Sequence, residues 1–327
     1  MYEILGLILP LFGLILLGFI AARITGRPLD ALGWLNIFIV YFALPALFFS
    51  MLSKTPIEQL ARWDFIGANV GITFGILVLT FFLGMIATRG HIGESTIQAL
   101  SGAYGNIGYM GPALALLALG PGAAIPLALI FCFENIMHFS LTPAMMALSG
   151  RGNGGALRTV IKIVRQIVFH PFILATAAGV TAAAFEFTPP LPLERLIDYL
   201  APAAAPCALF AMGVTLALRP LKRVPTALFY IVPIKLVLHP VAMYLVLSYV
   251  GDFDRVWILT AVLLASLPTA TNVFVMAQQY GFWVERATAS VLVTTVLSVL
   301  TVSALLYLVE TRQLPDDFFP AASTALQ

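Results

Sequence analysis

Gly105-Asn106-Ile107-Gly108-Tyr109-Met110-Gly111-Pro112 lies in the middle of an apolar stretch, 97 to 119, that is otherwise long enough to cross a bilayer as one helix. Three glycines and a proline within eight residues deny a helix its backbone bonds and its rigidity, so this span is expected to unwind at its centre. A second stretch, 256 to 280, carries Ser266-Leu267-Pro268-Thr269-Ala270-Thr271-Asn272 at the matching place, again a proline among hydroxyl and amide side chains. Unwound backbone at the depth of the hydrocarbon must line a cavity or be buried in protein. Interrupted segments at corresponding places of two halves therefore point to the binding site of a transporter. The alternative is a pair of merely kinked helices.

The rest of the chain supplies the membrane that this reading needs. Of 327 residues 61% are hydrophobic and 10% charged, and the mean hydropathy of +0.99 excludes a water-soluble enzyme. Apolar runs of the length that crosses about 30 Å of hydrocarbon recur throughout. They fall at 4 to 24, 33 to 52, 65 to 88, 97 to 119 and 123 to 149, then at 165 to 185, 196 to 218, 226 to 250, 256 to 280 and 284 to 309. The expectation is an all-α polytopic membrane protein of ten transmembrane helices. A net charge of +2 gives no case for nucleic acid. Cys132 and Cys207 both fall within spans and read as small apolar fillers, with no disulfide or metal pattern around them.

With ten spans both termini face the same side, and the cationic residues sort unevenly. Arg23, Arg27, Arg89, Arg151, Arg158, Lys162, Arg165, Arg219, Lys222, Arg223 and Arg286 share one side. Lys54, Arg62, Arg195, Arg255 and Arg312 share the other. The positive-inside rule then places both termini outside the cytoplasm. Residues 150 to 164, with Gly152, Gly154 and Gly155 among them, read as a cytoplasmic linker, and 311 to 327 as an extracytoplasmic tail.

The halves echo each other. Pro10 matches Pro171, Pro45 matches Pro206 and Gly120 matches Gly281, all at a shift of 161 residues. Five spans per copy is an odd number, so residues 1 to 149 and 165 to 310 are expected to form two inverted five-helix repeats. The broken spans four and nine would cross, each outgoing half-helix presenting its free N–H groups and positive dipole end, which suits an anion.

Ionisable residues are rare inside these spans. Lys235, ten residues into span eight, costs at least about 2.5 to 3.5 kcal/mol there unless it has a partner. That partner is either a substrate carboxylate or the carbonyls freed by a broken helix. His239 follows one helical turn later. Span five repeats the spacing with Glu134 and His138, Asn135 lying beside them. Glu134 is the natural proton-coupling candidate, with His138 and His239. An ion pair that only fastens helices together fits the same residues. His170, near a membrane face, is given no role.

These residues resemble the auxin efflux carrier family, which includes plant auxin exporters and bacterial proteins linked to malonate and other organic acids. The resemblance runs over nearly the whole chain. It rests on the Asn106 to Pro112 run, on Leu267-Pro268-Thr269-Ala270-Thr271-Asn272-Val273-Phe274-Val275-Met276-Ala277 ending at Tyr280-Gly281, and on Lys235-Leu236-Val237-Leu238-His239-Pro240. It implies a fold like that of bile-acid symporters and NhaA, with helices 1, 2, 6 and 7 as scaffold and helices 3 to 5 and 8 to 10 as an elevator-like transport domain. It places Asn106 and Asn272 at the substrate and Asn135 nearby. Gly108, Tyr109, Lys235, Pro268, Thr269 and Thr271 complete the expected binding set, and Gly105, Gly111, Pro112 and Pro268 form the helix breaks. This chain lacks the long loop between spans five and six, as the compact bacterial form does, and has no Asp or Lys within span three where plant members carry an ionisable pair.

The expected function is secondary active transport of a small organic anion, a dicarboxylate such as malonate or malate or an auxin-like carboxylate, across a bacterial inner membrane. No cofactor or metal is expected, a proton is favoured over sodium as coupling ion, and a homodimer would form through the scaffold helices. The competing readings are a sodium-coupled bile-acid-like symporter, an anion channel and an intramembrane enzyme acting on a lipid. The last would need an Asp-rich metal site, a His–Asp pair or a Ser–His arrangement, and the spans carry none of these.

Overall fold

The computed structural model describes residues 2–56, 61–151, 161, 164–165, 168–218 and 224–314. Most of the expected linker and the tail beyond residue 314 lie outside these residues, as do the basic residues Arg158, Lys162, Arg219, Lys222 and Arg223. Among the described residues the chain is helical, without a β-strand. Six helices are long and apolar enough to cross a membrane: α2 (Leu29–Leu52), α3 (Trp63–Ala87), α6 (Pro121–Ser149), α8 (Leu191–Leu218), α9 (Leu228–Val250) and α12 (Val284–Glu310). The other expected stretches hold α1 (Tyr2–Thr25), α4 (Ile92–Ala103) with α5 (Gly111–Leu119), α7 (Pro171–Ala184), and α10 (Arg255–Ala265) with α11 (Thr271–Tyr280). These features are those of a polytopic membrane protein. Large apolar side chains stand outward, Phe229 and Trp34 more than four-fifths exposed, a surface suited to lipid rather than water.

Spans four and nine break as expected, with one difference. Gly111 and Pro112 do not lie in the extended part of the break but open α5, Pro112 in its first turn. Proline is suited to that place because the first helical N–H groups have no intrahelical acceptor to lose. The extended backbone lies at Tyr104 to Asn106, and a turn over 107–110 leads from it into α5.

Buried side chains sort into layers along each helix. On α3, Phe65 and Ile66 belong to one apolar core and Ile76 and Leu77 to another, with buried Asn69 and Thr73 between them. On α6 the order is Leu127 to Cys132, then Glu134, Asn135 and His138, then Phe139 and Met146. On α9 it is Leu228 to Ile234, then Lys235 and His239, then Met243 to Leu247. Two apolar cores thus enclose a polar layer at mid-length of these three helices. A π-helical turn at Ile234–Leu238 lies at this level of α9, where an extra residue per turn changes which way Lys235 faces.

Tight helix contacts use glycine. A Cβ on Gly18 of α1 would lie 2.1 Å from the Phe210 carbonyl oxygen of α8, and one on Gly213 of α8 would lie 1.9 Å from the Ile15 oxygen of α1. Each helix therefore rests its backbone directly on the other.

Candidate binding site at the helix crossing

Where α4 and α10 stop, their backbones cross as a minimal antiparallel pair. Gly105 bridges Thr269, the Asn106 N–H donates to the Pro268 carbonyl at 2.8 Å, and the Ala270 N–H donates to the Tyr104 carbonyl at 2.9 Å. A broken helix leaves its last carbonyls without donors, and side chains fill the gap. Thr269 Oγ1 donates to Ser101 O at 2.7 Å, Ser266 Oγ to Leu263 O at 2.7 Å and Lys235 Nζ to Ala265 O at 2.6 Å. The Thr269 N–H is in turn taken up by Thr294 Oγ1 at 3.1 Å. The Lys235 ammonium also sits at the negative end of the α10 dipole, where a cation is stabilised.

On one side of the crossing lies a cavity of about 160 Å³. Gly105, Asn106, Gly108, Tyr109, Asn135 and Asn272 all line it, so the structure gathers residues that lie far apart in sequence. Tyr104 joins them: its hydroxyl donates to Asn135 Oδ1 and accepts from Asn272 Nδ2 at 3.0 Å. Asn135 Nδ2 is held by the Phe131 carbonyl at 2.6 Å, which fixes the direction of the whole relay. Asn106 Nδ2 points to Met212 Sδ on α8 at 3.3 Å. A second cavity, of about 150 Å³, flanks Tyr109, Asn272 and Val275 on the other side and adds Asn36, Thr215 and Thr271. No Asp, Glu, Lys or Arg lines either cavity among the described residues.

Lys235 does not line the cavity. It stands directly behind it, wholly buried, and Gly105 is the wall: a Cβ there would be 3.3 Å from Nζ. Pro268 and Thr269 likewise form the crossing rather than the lining. Glu134, His138 and His239 are buried on the same far side. Glu134 Oε1 accepts from Asn69 Nδ2 at 2.9 Å and from Thr73 Oγ1 at 2.7 Å. Thr73 Oγ1 also meets His239 Nε2 at 3.2 Å, and His239 Nδ1 meets Lys235 Nζ at 3.2 Å. His138 stacks on the Tyr104 ring, centroids 4.2 Å apart, and neither of its ring nitrogens has a hydrogen-bond partner.

Sequence reasoning passed over four contributors. Tyr104 adjoins the break, where an aromatic residue reads from sequence as packing or pocket shape only. Asn69 and Thr73 were not named, although polar residues one turn apart on a helix as apolar as α3 are a signal of an inward face. His170, given no role, stands in the cavity wall beside Phe139. No group of three or more His, Cys, Asp and Glu side chains that could hold a metal ion occurs among the described residues.

The chain matches the model of a family described as "Membrane transport protein" over residues 3–306. A protein of Rhizobium meliloti described as "Putative malonate transporter" is 62% identical over 320 residues, covering 98% of this chain and 100% of the relative. An "Uncharacterized transporter" of Methanothermobacter thermautotrophicus is 24% identical over 295 residues, 90% of this chain and 94% of the relative.

Proposed function

Starting from the fact that the chain belongs to the membrane transport protein family, the auxin efflux carriers that its sequence resembles, we propose that this multi-pass membrane transporter is a secondary carrier of a small organic anion, with malonate or a similar dicarboxylate as substrate. The observation that carries this reading is the convergence of Asn106, Asn135 and Asn272 on one cavity, at the start of α11 and one glycine away from the Lys235 ammonium. Amide N–H groups and a helix N-terminus bind a carboxylate. The buried ammonium adds attraction through a wall of low dielectric. The malonate in the name of the Rhizobium relative supports the same class of substrate.

In this reading the chain is two inverted five-helix repeats of ten spans. The glycine contacts support it. Gly18 and Gly179 are separated by the same 161 residues as the sequence anchors. Gly18 rests on Phe210, while Gly179 rests on Phe49, its Cβ position 3.3 Å from the Phe49 oxygen, and Phe49 and Phe210 are again 161 apart. Gly120 and Gly281, also an anchor pair, have φ of 74° and 71°. Helices 1, 2, 6 and 7 form a scaffold, paired as a homodimer, against which the remaining spans move as an elevator in a bacterial inner membrane, with both termini extracytoplasmic. Glu134, the one buried carboxylate among the described residues, takes the coupling proton.

Counterflow of labelled carboxylates in proteoliposomes, under imposed proton and sodium gradients, tests the proposal. Malonate is expected to exchange, and stimulation by the proton gradient alone identifies the coupling ion. Silence across a broad panel of mono- and dicarboxylates would overturn the substrate class. Asn272→Ala, which removes an amide from both cavities, is expected to raise the half-saturation concentration about tenfold, the worth of one hydrogen bond to a charged group. Unchanged saturation would remove Asn272 from the site.

A further inference from the structure

Two lines of side chains run from the helix crossing towards Glu134, and they differ in one respect. Through Tyr104 the path reaches His138, but that contact is ring on ring and both imidazole nitrogens are unpartnered, so no hydrogen bond continues it. Behind Gly105 the path is unbroken: Lys235 Nζ, His239 Nδ1 and Nε2, Thr73 Oγ1, Glu134 Oε1.

The direction of each bond in this chain is determined. Thr73 has one hydroxyl proton and donates it to Glu134. Its bond to His239 Nε2 must therefore be accepted, which puts the imidazole proton on Nε2. Nδ1 then carries a lone pair, which accepts from the Lys235 ammonium. Every link is a donor pointing towards Glu134.

From this geometry we propose that Lys235, His239 and Thr73 form a proton wire that runs from the Lys235 ammonium, behind the Gly105 wall, to Glu134, with the Thr73 hydroxyl as its indispensable middle link. The inference rests on the reading that Glu134 takes the coupling proton. In the transfer, an N–H bond of Lys235 breaks as the Nδ1–H bond of His239 forms. The Nε2–H bond breaks as a new O–H forms on Thr73, and the old Thr73 O–H breaks as one forms on Glu134 Oε1. A hydronium ion then returns a proton to the Lys235 amine and leaves water. Net, one carboxylate and one hydronium become a carboxylic acid and water, and His239 is left as the other neutral tautomer. The titratable groups facing this chain are His138 on α6 and Tyr104 on the segment after α4, neither hydrogen-bonded into it, and the only charges in it are those of Glu134 and Lys235.

A pH-jump infrared experiment on the purified full chain tests the wire without any substrate. The protonated-carboxyl band that Glu134→Gln abolishes is followed in time after the pH is dropped. Thr73→Val, which keeps the shape and deletes the link, is expected to slow the growth of this band about tenfold or more, while Thr73→Ser restores it. Asn69→Ala removes the other hydrogen bond to the same Glu134 oxygen but lies off the path, and is expected to keep the native rate. A native rate in Thr73→Val overturns the wire. So does an equal slowing in Asn69→Ala, which would make Thr73 a mere anchor of the carboxylate, and so does a native protein in which no such band appears. Malonate counterflow in the same preparation decides the transport reading separately, so the two can fail independently.

Discussion

Lys235→Met is expected to destabilise the protein by about 3 to 5 kcal/mol, the cost of breaking a buried charge network by removing one partner, and to abolish transport. The side chain is wholly buried, and three groups depend on it. The Ala265 carbonyl loses its donor, His239 Nδ1 loses its proton source, and Glu134 loses the cation that balances it three hydrogen bonds away. Methionine fills the space, so cavity formation does not confuse the result. Adding Glu134→Gln removes the stranded charge, and the double variant is expected to regain most of the lost stability while remaining inactive. Thermal denaturation in detergent of the native protein, both single variants and the double gives the coupling energy. Strictly additive losses would mean that the two residues do not act as one network.

The second large effect concerns assembly. Gly213→Ala places a methyl carbon 1.9 Å from the Ile15 carbonyl oxygen. The obstacle is main chain on a neighbouring helix and cannot rotate away, so α1 and α8 must separate. Overpacking of this kind costs about 1 to 3 kcal/mol or more, and here it also undoes the reciprocal contact of Gly18 on Phe210. Gly71→Ala on α3 is the internal control. Nothing lies within 4 Å of its Cβ position, and alanine in a helix interior is favoured over glycine by about 1 kcal/mol. Opposite signs for the two alanines in one thermal-shift series would establish the close crossing, and equal, small effects would count against it.

Much of the architecture was legible because it depends on composition and punctuation. Apolar length marks a span whatever its neighbours are, and a proline flanked by glycines or hydroxyls marks a break. The convergence of Asn106, Asn135 and Asn272 was legible only through the family resemblance, since nothing in spacing alone says that span five passes beside the crossing. What the sequence concealed is rotational. Whether Lys235 enters the cavity or turns behind it depends on how α9 is wound around Ile234–Leu238, and a π-turn leaves no signature that hydropathy would detect. The same holds for Thr73, whose importance lies in two partners on α6 and α9 that are 61 and 166 residues away. Pro112 reads as a helix breaker from sequence, but a proline that ends one helix is equally suited to begin the next, and it stands in the first turn of α5.

The glycine wall at Gly105 bears on how fast such a protein can work. A carboxylate in contact with an ammonium would have to break that pair before leaving, and escape would be slow. An ammonium held one backbone thickness away, already bonded to the Ala265 carbonyl and to His239, attracts the anion without becoming its partner. For the proposed carboxylate substrate, binding would then be shallower and release quicker than in a direct ion pair, so dwell time at the crossing would be traded for turnover.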